Sequence, residues 1–246
     1  MKKVVFIDSG IGGISTLREF AKKSYDCEIT YIADNKNVPY GNLAAEKIMS
    51  NVEGLFNRFV DFEPDIVCLA CNTMSTTTKN ALQKKYPFRI VGVCPNVDDP
   101  IKDGKRNILL LGTKRTIEEN YEEYRKKKII MRPQSDLAKI IERYIFDEEI
   151  IVEKIEQIKN DSDQQNIDAV VLGCTHYSLV KDIFQSVFSK YIAFYDNNLN
   201  VVSEMARYLN MNEVEKIGQN NSYSLRLTDN SDAEVEKYLK LLKNNV

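Results

Sequence analysis

Short apolar runs alternate along the chain with longer stretches in which apolar residues recur every three or four positions. The short runs are typical of buried parallel strands, and the longer stretches are typical of helices with one buried side. Strands are predicted at 3–8, 28–33, 66–70, 88–93, 108–113, 129–131, 169–172, 191–195 and 222–227. Helices are predicted at 14–22, 43–61, up to about 85, and at 116–127, 136–144, 148–159, 178–189, 198–209 and 231–243. Strands that alternate with helices predict an α/β fold with a mostly parallel sheet covered on both faces.

Two of the predicted strands share an unusual pattern. Residues 65–73 read DIVCLACNT and residues 168–176 read DAVVLGCTH, so each segment begins with Asp and ends with a cysteine and small polar residues. The spacing between Cys71 and Cys174 nearly matches the spacing between the first strands of the two halves. The pattern therefore indicates a duplication, with a linker at 94–105 and one cysteine in each half.

The position of these two cysteines suggests a chemical role. A thiol at the end of a strand and directly before a helix meets the helix amino-terminal dipole, which is expected to lower its pKa from about 8.5. If the two halves face each other, Cys71 and Cys174 can lie on opposite sides of a small anionic substrate. One group can then remove a proton from one face of a carbon while the other returns a proton to the opposite face. The neighbouring donors are Asn72, Thr73, Thr175 and His176.

Other interpretations of the cysteines remain open at this stage. Cys68 and Cys71 form a C-x-x-C sequence, but along an extended strand their Cα atoms lie about 10 Å apart, beyond the reach of a disulfide. Zinc binding by Cys71, Cys174 and His176 uses suitable ligand types but lacks an evident fourth ligand. The remaining cysteines are interpreted as small buried apolar residues: Cys27, Cys68 and Cys94.

Composition narrows the possible partners and the location. The 246 residues carry a net charge of −2, which does not favour nucleic acid or an anionic membrane as a partner. The first eight residues contain too few apolar positions for a signal peptide, and no segment approaches the length of a membrane span. We therefore expect a cytoplasmic protein with reduced thiols.

Four motifs carry a family resemblance. They are Asp8-Ser9-Gly10-Ile11-Gly12-Gly13, Pro39-Tyr40-Gly41, Ala70-Cys71-Asn72-Thr73 and Gly173-Cys174-Thr175-His176-Tyr177. In order and spacing they resemble the signatures of the glutamate racemases, and the similarity runs from residue 3 through the tail. The opening motif favours this family over the related aspartate and hydantoin racemases.

The resemblance implies two pseudo-symmetric α/β domains with the active site in the cleft between them. The first domain would comprise 1–95 and 210–246 and carry Cys71, and the second would comprise 96–209 and carry Cys174. The resemblance also implies a homo-oligomer, namely a dimer, and a reaction without a cofactor or metal.

The resemblance assigns roles residue by residue. Cys71 would act on the D-enantiomer and Cys174 on the L-enantiomer, with Asp8 and His176 assisting the thiols. Glu142 loosely matches an acid that supports the second thiol. The substrate-binding residues would be Asp8, Ser9, Pro39, Tyr40, Gly41, Asn72, Thr73, Thr113, Thr116, Thr175 and His176.

The implied function is the interconversion of L- and D-glutamate, which supplies D-glutamate for peptidoglycan. Three alternatives stay open. The first is a racemase of the same fold for aspartate or another amino acid, and the second is a non-catalytic amino-acid sensor. The third is a thiol hydrolase that uses Cys174 and His176, which leaves Cys71 without a role.

Overall fold

The computed structural model describes residues 1–23, 26–58, 63–162, 166–211 and 221–243. The strands in these ranges are β1 (Lys2–Asp8), β2 (Cys27–Ala33), β3 (Ile66–Leu69), β4 (Arg89–Gly92), β5 (Ile108–Gly112), β6 (Ile130–Pro133), β7 (Ala169–Gly173), β8 (Ala193–Tyr195) and β9 (Ser222–Leu227). The helices are α1 (Ile14–Ala21), α2 (Ala45–Phe56), α3 (Asn72–Lys85), α4 (Asp98–Lys102), α5 (Lys114–Glu119), α6 (Tyr121–Lys126), α7 (Ser135–Tyr144), α8 (Glu148–Asn160), α9 (Thr175–Leu179), α10 (Lys181–Val187), α11 (Asn198–Tyr208) and α12 (Asp232–Lys243).

The strands form two sheets in which every pairing is parallel. The first sheet has the order β4-β3-β1-β2-β9 and the second has the order β6-β5-β7-β8. Read from β2, the first sheet runs β2-β1-β3-β4, which is the order of the second sheet strand for strand. The predicted α/β class with two parallel sheets flanked by helices is confirmed, and the shared strand order supports the duplication inferred from the sequence.

The register places corresponding residues of the two halves at corresponding strand ends. In the first sheet Ile7 of β1 pairs with Leu69 of β3, and in the second sheet Gly112 of β5 pairs with Gly173 of β7. Cys71 and Cys174 each follow within two residues of these pairs. Because carboxyl ends of parallel strands share one edge of a sheet, each cysteine lies at that edge.

Apolar burial explains why these segments form central strands. All residues of β3, β5 and β7 are buried, as expected for strands covered on both faces. The largest apolar cluster contains residues of both halves, such as Phe6 of β1 and Leu111 of β5. Its helical contributors include Leu17 of α1 and Met205 of α11, so the two halves share part of their core.

The tail completes the first sheet. Strand β9 pairs with β2 at the edge of that sheet, and α12 follows it. Tyr238 of α12 is fully buried, and its ring centroid lies 6.1 Å from that of Tyr31. The Tyr31 hydroxyl donates to the Gly10 carbonyl at 2.7 Å, so the tail helix is packed directly behind the loop that follows β1.

Several predicted elements differ in detail from the structure. The predicted linker 94–105 contains the helix α4, since acidic residues favour a helix amino terminus and proline is tolerated in a first turn. The predicted helix 116–127 is divided into α5 and α6 at Asn120, and 178–189 is divided into α9 and α10 at Val180. The predicted helix 43–61 begins at Ala45, and its part from 59 onward lies outside the described residues.

Among the residues that the structure describes, none of the helices has both the length and the apolar character needed to cross a membrane.

An aromatic cluster packs around the segment that follows Cys174, and its contribution to stability can be tested. Phe184 of α10 is fully buried, with its ring centroid 6.0 Å from Phe194 and 6.3 Å from Tyr177. We expect Phe184→Ala to lower the free energy of unfolding by about 3–5 kcal/mol, because it removes a buried ring and leaves a cavity. Urea denaturation measures this loss. Phe146→Ala is the control, since Phe146 is 51% exposed and its loss should change stability by no more than about 0.5 kcal/mol.

Candidate active site

The two strand-end cysteines lie at helix amino termini and are largely buried. Cys71 directly precedes α3 and Cys174 directly precedes α9, in extended backbone conformations. Each cysteine is only 6% exposed. Asp8, the last residue of β1, is fully buried at the same edge of the first sheet.

Cys68 and Cys71 belong to different sides of the first sheet. Cys68 contributes to the apolar cluster that continues into the second half, whereas Cys71 belongs to the cluster on the opposite face. This agrees with the alternation of side chains along an extended strand, where residues three positions apart point to opposite faces. All five cysteines lie within the described ranges, and none of them forms a disulfide. Within the described ranges, no three His, Cys, Asp or Glu side chains are grouped closely enough to hold a metal ion.

Asp8 connects the two halves. Its Oδ1 accepts from the Gly10 backbone N–H at 2.7 Å, and its Oδ2 accepts from the Thr175 hydroxyl of the second half at 3.0 Å. Burial raises the pKa of Asp8 from 3.8 to about 6, although the positive charge of His176 opposes the change. The carboxyl group therefore titrates close to neutral pH.

The surroundings of Cys71 correct one expectation. Burial, together with the negative charge of Asp8, raises the pKa of the Cys71 thiol well above its ordinary value. The prediction that the helix terminus lowers the pKa of this thiol is therefore wrong for Cys71. Desolvation outweighs the hydrogen bonds offered by the Met74 backbone and Ser9. The Ser9 hydroxyl lies 3.7 Å from Cys71 Sγ. The adjacent Asn72 has a buried Oδ1 for which no hydrogen-bond partner is found among the described residues.

Cys174 has a different set of neighbours. Its Sγ lies 3.9 Å from Nδ1 of His176, and Nε2 of the same ring lies 2.8 Å from Oε2 of Glu142. Burial alone would lower the pKa of His176, but hydrogen bonds to Cys174 and Glu142 raise it well above its ordinary value. The imidazole is therefore held as a cation between a sulfur and a carboxylate.

Three threonine hydroxyls form a second connection between the halves. Thr73 Oγ1 lies 2.9 Å from Thr113 Oγ1 and 3.1 Å from Thr116 Oγ1. Thr73 is on α3 of the first half, whereas the other two belong to the loop after β5 and to α5. A Cβ at Gly41 would lie 2.7 Å from the Thr113 side chain, so the 39–41 motif also faces this point.

The structure brings together residues predicted from the sequence, including Glu142, and adds Asp34. Tyr40 is buried in the same apolar cluster as Cys71, next to half-buried Pro39, and its hydroxyl donates to Asp34 at 2.5 Å. Asp34 was not predicted as a site residue, although its position directly after β2 was the available signal. Glu142, matched only loosely by sequence, contacts His176 directly.

Glycines allow the halves to come this close. A Cβ at Gly12 would lie 2.5 Å from Thr175 Oγ1 and 2.7 Å from the His176 backbone nitrogen. Real Cβ atoms essentially never approach other atoms this closely. Gly12 is therefore required by the contact between the two strand-end loops.

Comparison with known proteins agrees with this architecture. The chain is 30% identical to the glutamate racemase of Halothermothrix orenii, over 98% of this chain and 99% of that protein. It is 30% identical to the glutamate racemase of Vibrio vulnificus strain YJ016, over 79% and 76% of the two chains. No protein-family model matches the chain.

Solved structures show the same fold. The glutamate racemase of Escherichia coli, determined with L-glutamate and the activator UDP-MurNAc-ala, superposes with a TM-score of 0.86 at 24% identity, covering 99% of this chain and 95% of that one. A glutamate racemase isoform of Bacillus anthracis gives a TM-score of 0.83 at 22% identity, covering 100% and 95%.

The duplicated α/β fold, the cysteine at the equivalent strand end of each half and the 30% identity to glutamate racemases together identify an amino-acid racemase. Together with the 30% identity to a glutamate racemase over 98% of the chain, this architecture shows that the chain belongs to the glutamate racemase family.

The contact at Gly12 can be tested by thiol accessibility. We expect Gly12→Ala to push apart the loops that carry Asp8 and Thr175, which should raise the alkylation rates of Cys71 and Cys174 and lower stability by about 1–3 kcal/mol. Peptide mass spectrometry after a timed alkylation identifies the modified cysteines. Gly54→Ala is the control because no atom lies within 4 Å of its added Cβ. Unchanged alkylation of both cysteines in Gly12→Ala would contradict the close contact.

The raised pKa of Asp8 predicts a pH-dependent stability effect. The folded protein keeps this proton up to about pH 6, whereas the unfolded chain loses it near pH 3.8, so the carboxyl group destabilises the fold as pH rises between these values. At pH 8 we expect Asp8→Asn to be more stable than wild type by about 1–3 kcal/mol.

The gain should shrink as the pH is lowered from about 6 and disappear well below 3.8, where Asp8 is protonated in both states. Urea denaturation at several pH values measures the difference. Asp147→Asn serves as the control because Asp147 is exposed and precedes a helix without a side-chain cap. A stability gain that does not depend on pH would show that burial of charge is not its cause.

Proposed function

We propose that this chain interconverts L- and D-glutamate without a cofactor, by means of the thiols of Cys71 and Cys174. The observation that carries the proposal is the equivalent placement of the two cysteines at the facing edges of two matching sheets. The identity to glutamate racemases over nearly the whole chain supports glutamate as the substrate.

The proton transfer requires one thiolate and one thiol. The thiolate removes the α-proton of the bound amino acid, and the thiol on the other side gives its proton to the opposite face of the same carbon. The C–H bond that breaks is replaced by a new C–H bond of opposite configuration, and the two cysteines exchange protonation states. By the family resemblance, Cys71 takes the proton of the D-enantiomer and Cys174 that of the L-enantiomer.

The two thiols are assisted by different groups. Beside Cys174, the cationic imidazole of His176 stabilises a thiolate through the contact at 3.9 Å. Beside Cys71, the Ser9 hydroxyl at 3.7 Å can donate to a thiolate, whereas Asp8 opposes its formation while ionised. Binding of the substrate ammonium group at Asp8 would offset that repulsion, so we propose that the thiolate at Cys71 is favoured by bound substrate.

The remaining predicted residues fit contacts to the substrate. The unpartnered Oδ1 of Asn72 is suited to an ammonium group, and the hydroxyls of the three contacting threonines are suited to a carboxylate. We propose that the binding residues are Asp8, Ser9, Pro39, Tyr40, Gly41, Asn72, Thr73, Thr113, Thr116, Thr175 and His176.

Substrate entry requires the two halves to separate. Both thiols are only 6% exposed, and the contacts Thr73–Thr113 and Thr175–Asp8 connect the halves in front of them. We propose that the moving units are the domains 1–95 with 210–246 and 96–209. We also propose that the chain acts in the cytoplasm as a homodimer and supplies D-glutamate for peptidoglycan.

Incorporation of deuterium tests the proposed reaction. L-glutamate is incubated with the protein in deuterated water, and D-glutamate is followed by chiral chromatography and mass spectrometry. We expect D-glutamate to form with one deuterium at the α-carbon, because the proton that completes inversion comes from a solvent-exchanged thiol. Inversion without deuterium would contradict the two-thiol mechanism. L-aspartate and neutral amino acids are tested in parallel, and faster inversion of one of these would identify a different substrate.

Substitution of each cysteine tests the two thiols separately. We expect Cys71→Ala and Cys174→Ala each to abolish racemisation, because inversion needs groups on both faces of the α-carbon. Each variant should still exchange the α-proton of one enantiomer, and the two variants should differ in which one. Cys68→Ala is the control, since Cys68 belongs to the core on the other side of the sheet. Binding without exchange in the wild type would favour an amino-acid sensor instead.

A further inference from the structure

A buried carboxylate beside the active site is contacted by a lysine from the tail. Lys237 Nζ on α12 lies 3.0 Å from Oε1 of Glu142 on α7, and the two side chains are 16% and 8% exposed. The lysine belongs to the element that completes the first sheet, whereas the glutamate belongs to the second half. The ion pair therefore crosses between the halves close to Cys174.

The lysine contacts the oxygen of Glu142 that does not contact His176. Oε2 of Glu142 accepts from the Ile11 backbone N–H at 2.9 Å and contacts Nε2 of His176 at 2.8 Å. Oε1 contacts Lys237. With both oxygens engaged from opposite sides, the carboxylate cannot rotate away from the imidazole without breaking an ion pair.

The lysine is itself held in position. Its ammonium group also lies 2.9 Å from the carboxylate of Glu234, one turn earlier on α12. Glu234 Oε2 accepts in turn from the Asn35 side chain at 3.0 Å, and Asn35 follows β2 in the first sheet. Lys237 is therefore fixed to the body of the first half rather than extended from a free helix surface.

Charge balance gives the lysine a consequence for the thiol. The charged groups around Glu142 are His176 and Lys237, with ionised Asp8 nearby, and the neutral tyrosines Tyr31 and Tyr238 face the same region. The carboxylate of Glu234 also contacts Lys237, but its side chain is 28% exposed and so remains partly solvated. When Cys174 is a thiolate, this buried region holds negative charges on the sulfur, Asp8 and Glu142. Without Lys237 only the imidazolium would compensate them, and uncompensated buried charge is costly.

We propose that Lys237 is a positioning residue of the reaction, which acts through Glu142 and His176 to support the thiolate of Cys174. The inference rests on the proposed racemisation, and it extends the active site to the tail helix. In this proposal, the contact of α12 with the second half contributes to the reaction as well as to the stability of the fold.

Three variants test the inference. Lys237→Met removes the cation, Lys237→Arg keeps it, and Lys240→Met changes a lysine one turn further along α12 whose ammonium lies over the Phe146 ring. We expect Lys237→Met to lower kcat/KM about 10- to 100-fold, as for loss of a charge-assisted contact. Lys237→Arg and Lys240→Met should retain most of the wild-type activity.

Isotope effects separate this role from a general loss of structure. Because the two enantiomers have equal free energies, kcat/KM must fall equally in both directions in any variant. In Lys237→Met only the proton transfer at Cys174 should become slower. The effect of α-deuteration on kcat/KM should therefore rise for the enantiomer whose proton Cys174 removes and fall for the other. A purely structural lesion would leave the two isotope effects unchanged or move them together.

A second measurement does not depend on turnover. His176 is the single histidine of the 246 residues, so the imidazole signals of ¹⁵N-labelled protein belong to it alone. We expect Lys237→Met to shift these signals because Glu142 loses its second partner, whereas Lys237→Arg and Lys240→Met should not. Circular dichroism and thermal unfolding confirm that each variant is folded.

The outcomes distinguish the two proposals. Failure of the wild type to racemise glutamate would overturn the proposed function. An active wild type, with Lys237→Met equally active or with both isotope effects moving together, would overturn the role of Lys237 alone. Unshifted His176 signals in folded Lys237→Met would also overturn that role. Opposite changes of the two isotope effects, with retention in Lys237→Arg, would support it.

Discussion

The arrangement of the site depends on two hydrogen bonds. Each of them joins the cysteine-bearing segment of one half to the other half. The Thr175 hydroxyl beside Cys174 donates to Asp8 at the end of β1, and the Thr73 hydroxyl beside Cys71 contacts Thr113 after β5. Each cysteine-bearing segment is thus bonded to the other half, at the end of β1 or directly after β5. This reciprocal arrangement follows from the duplication, since the same edge of each sheet is used twice. It fixes the two thiols with respect to each other and removes them from water.

Because the site is buried, the ionisation of its groups depends on neighbouring groups of opposite charge. Burial raises the pKa of Cys71, so its thiol keeps the proton, and it moves the pKa of Asp8 to about 6, so that carboxyl group gains or loses its proton close to neutral pH. His176 keeps its proton because a sulfur and a carboxylate lie on its two sides. The site therefore holds few unpaired charges of its own. A substrate with an ammonium group and two carboxylates changes the balance of positive and negative charge when it binds. Under the proposed mechanism, binding of the substrate and activation of the thiols are coupled for this reason.

The sequence was sufficient for the fold and for the residues at strand ends, but not for partners that lie far apart along the chain. Buried strands followed by a cysteine, or by Asp8, have a strong local pattern, so their positions could be predicted. The divisions at Asn120 and Val180 have no such pattern, because tertiary contacts set the local backbone there. Lys237 lies in an ordinary amphipathic helix, and its contact with Glu142, 95 residues away, follows only from the packing of α12.

The two halves share a scaffold but do not share their chemistry. Cys71 is accompanied by a hydroxyl and a carboxyl group, whereas Cys174 is followed by a row of alternating charges that ends in the tail helix. A reaction whose substrate and product are mirror images does not require the two groups to be alike. It requires only that each can complete the transfer that the other begins, since the overall equilibrium is fixed by the equal energies of the enantiomers. Among the described residues, no strand joins the second sheet in the way that β9 joins the first. The tail therefore places the cation of Lys237 on the Cys174 side of the site, through Glu142, and not beside Cys71.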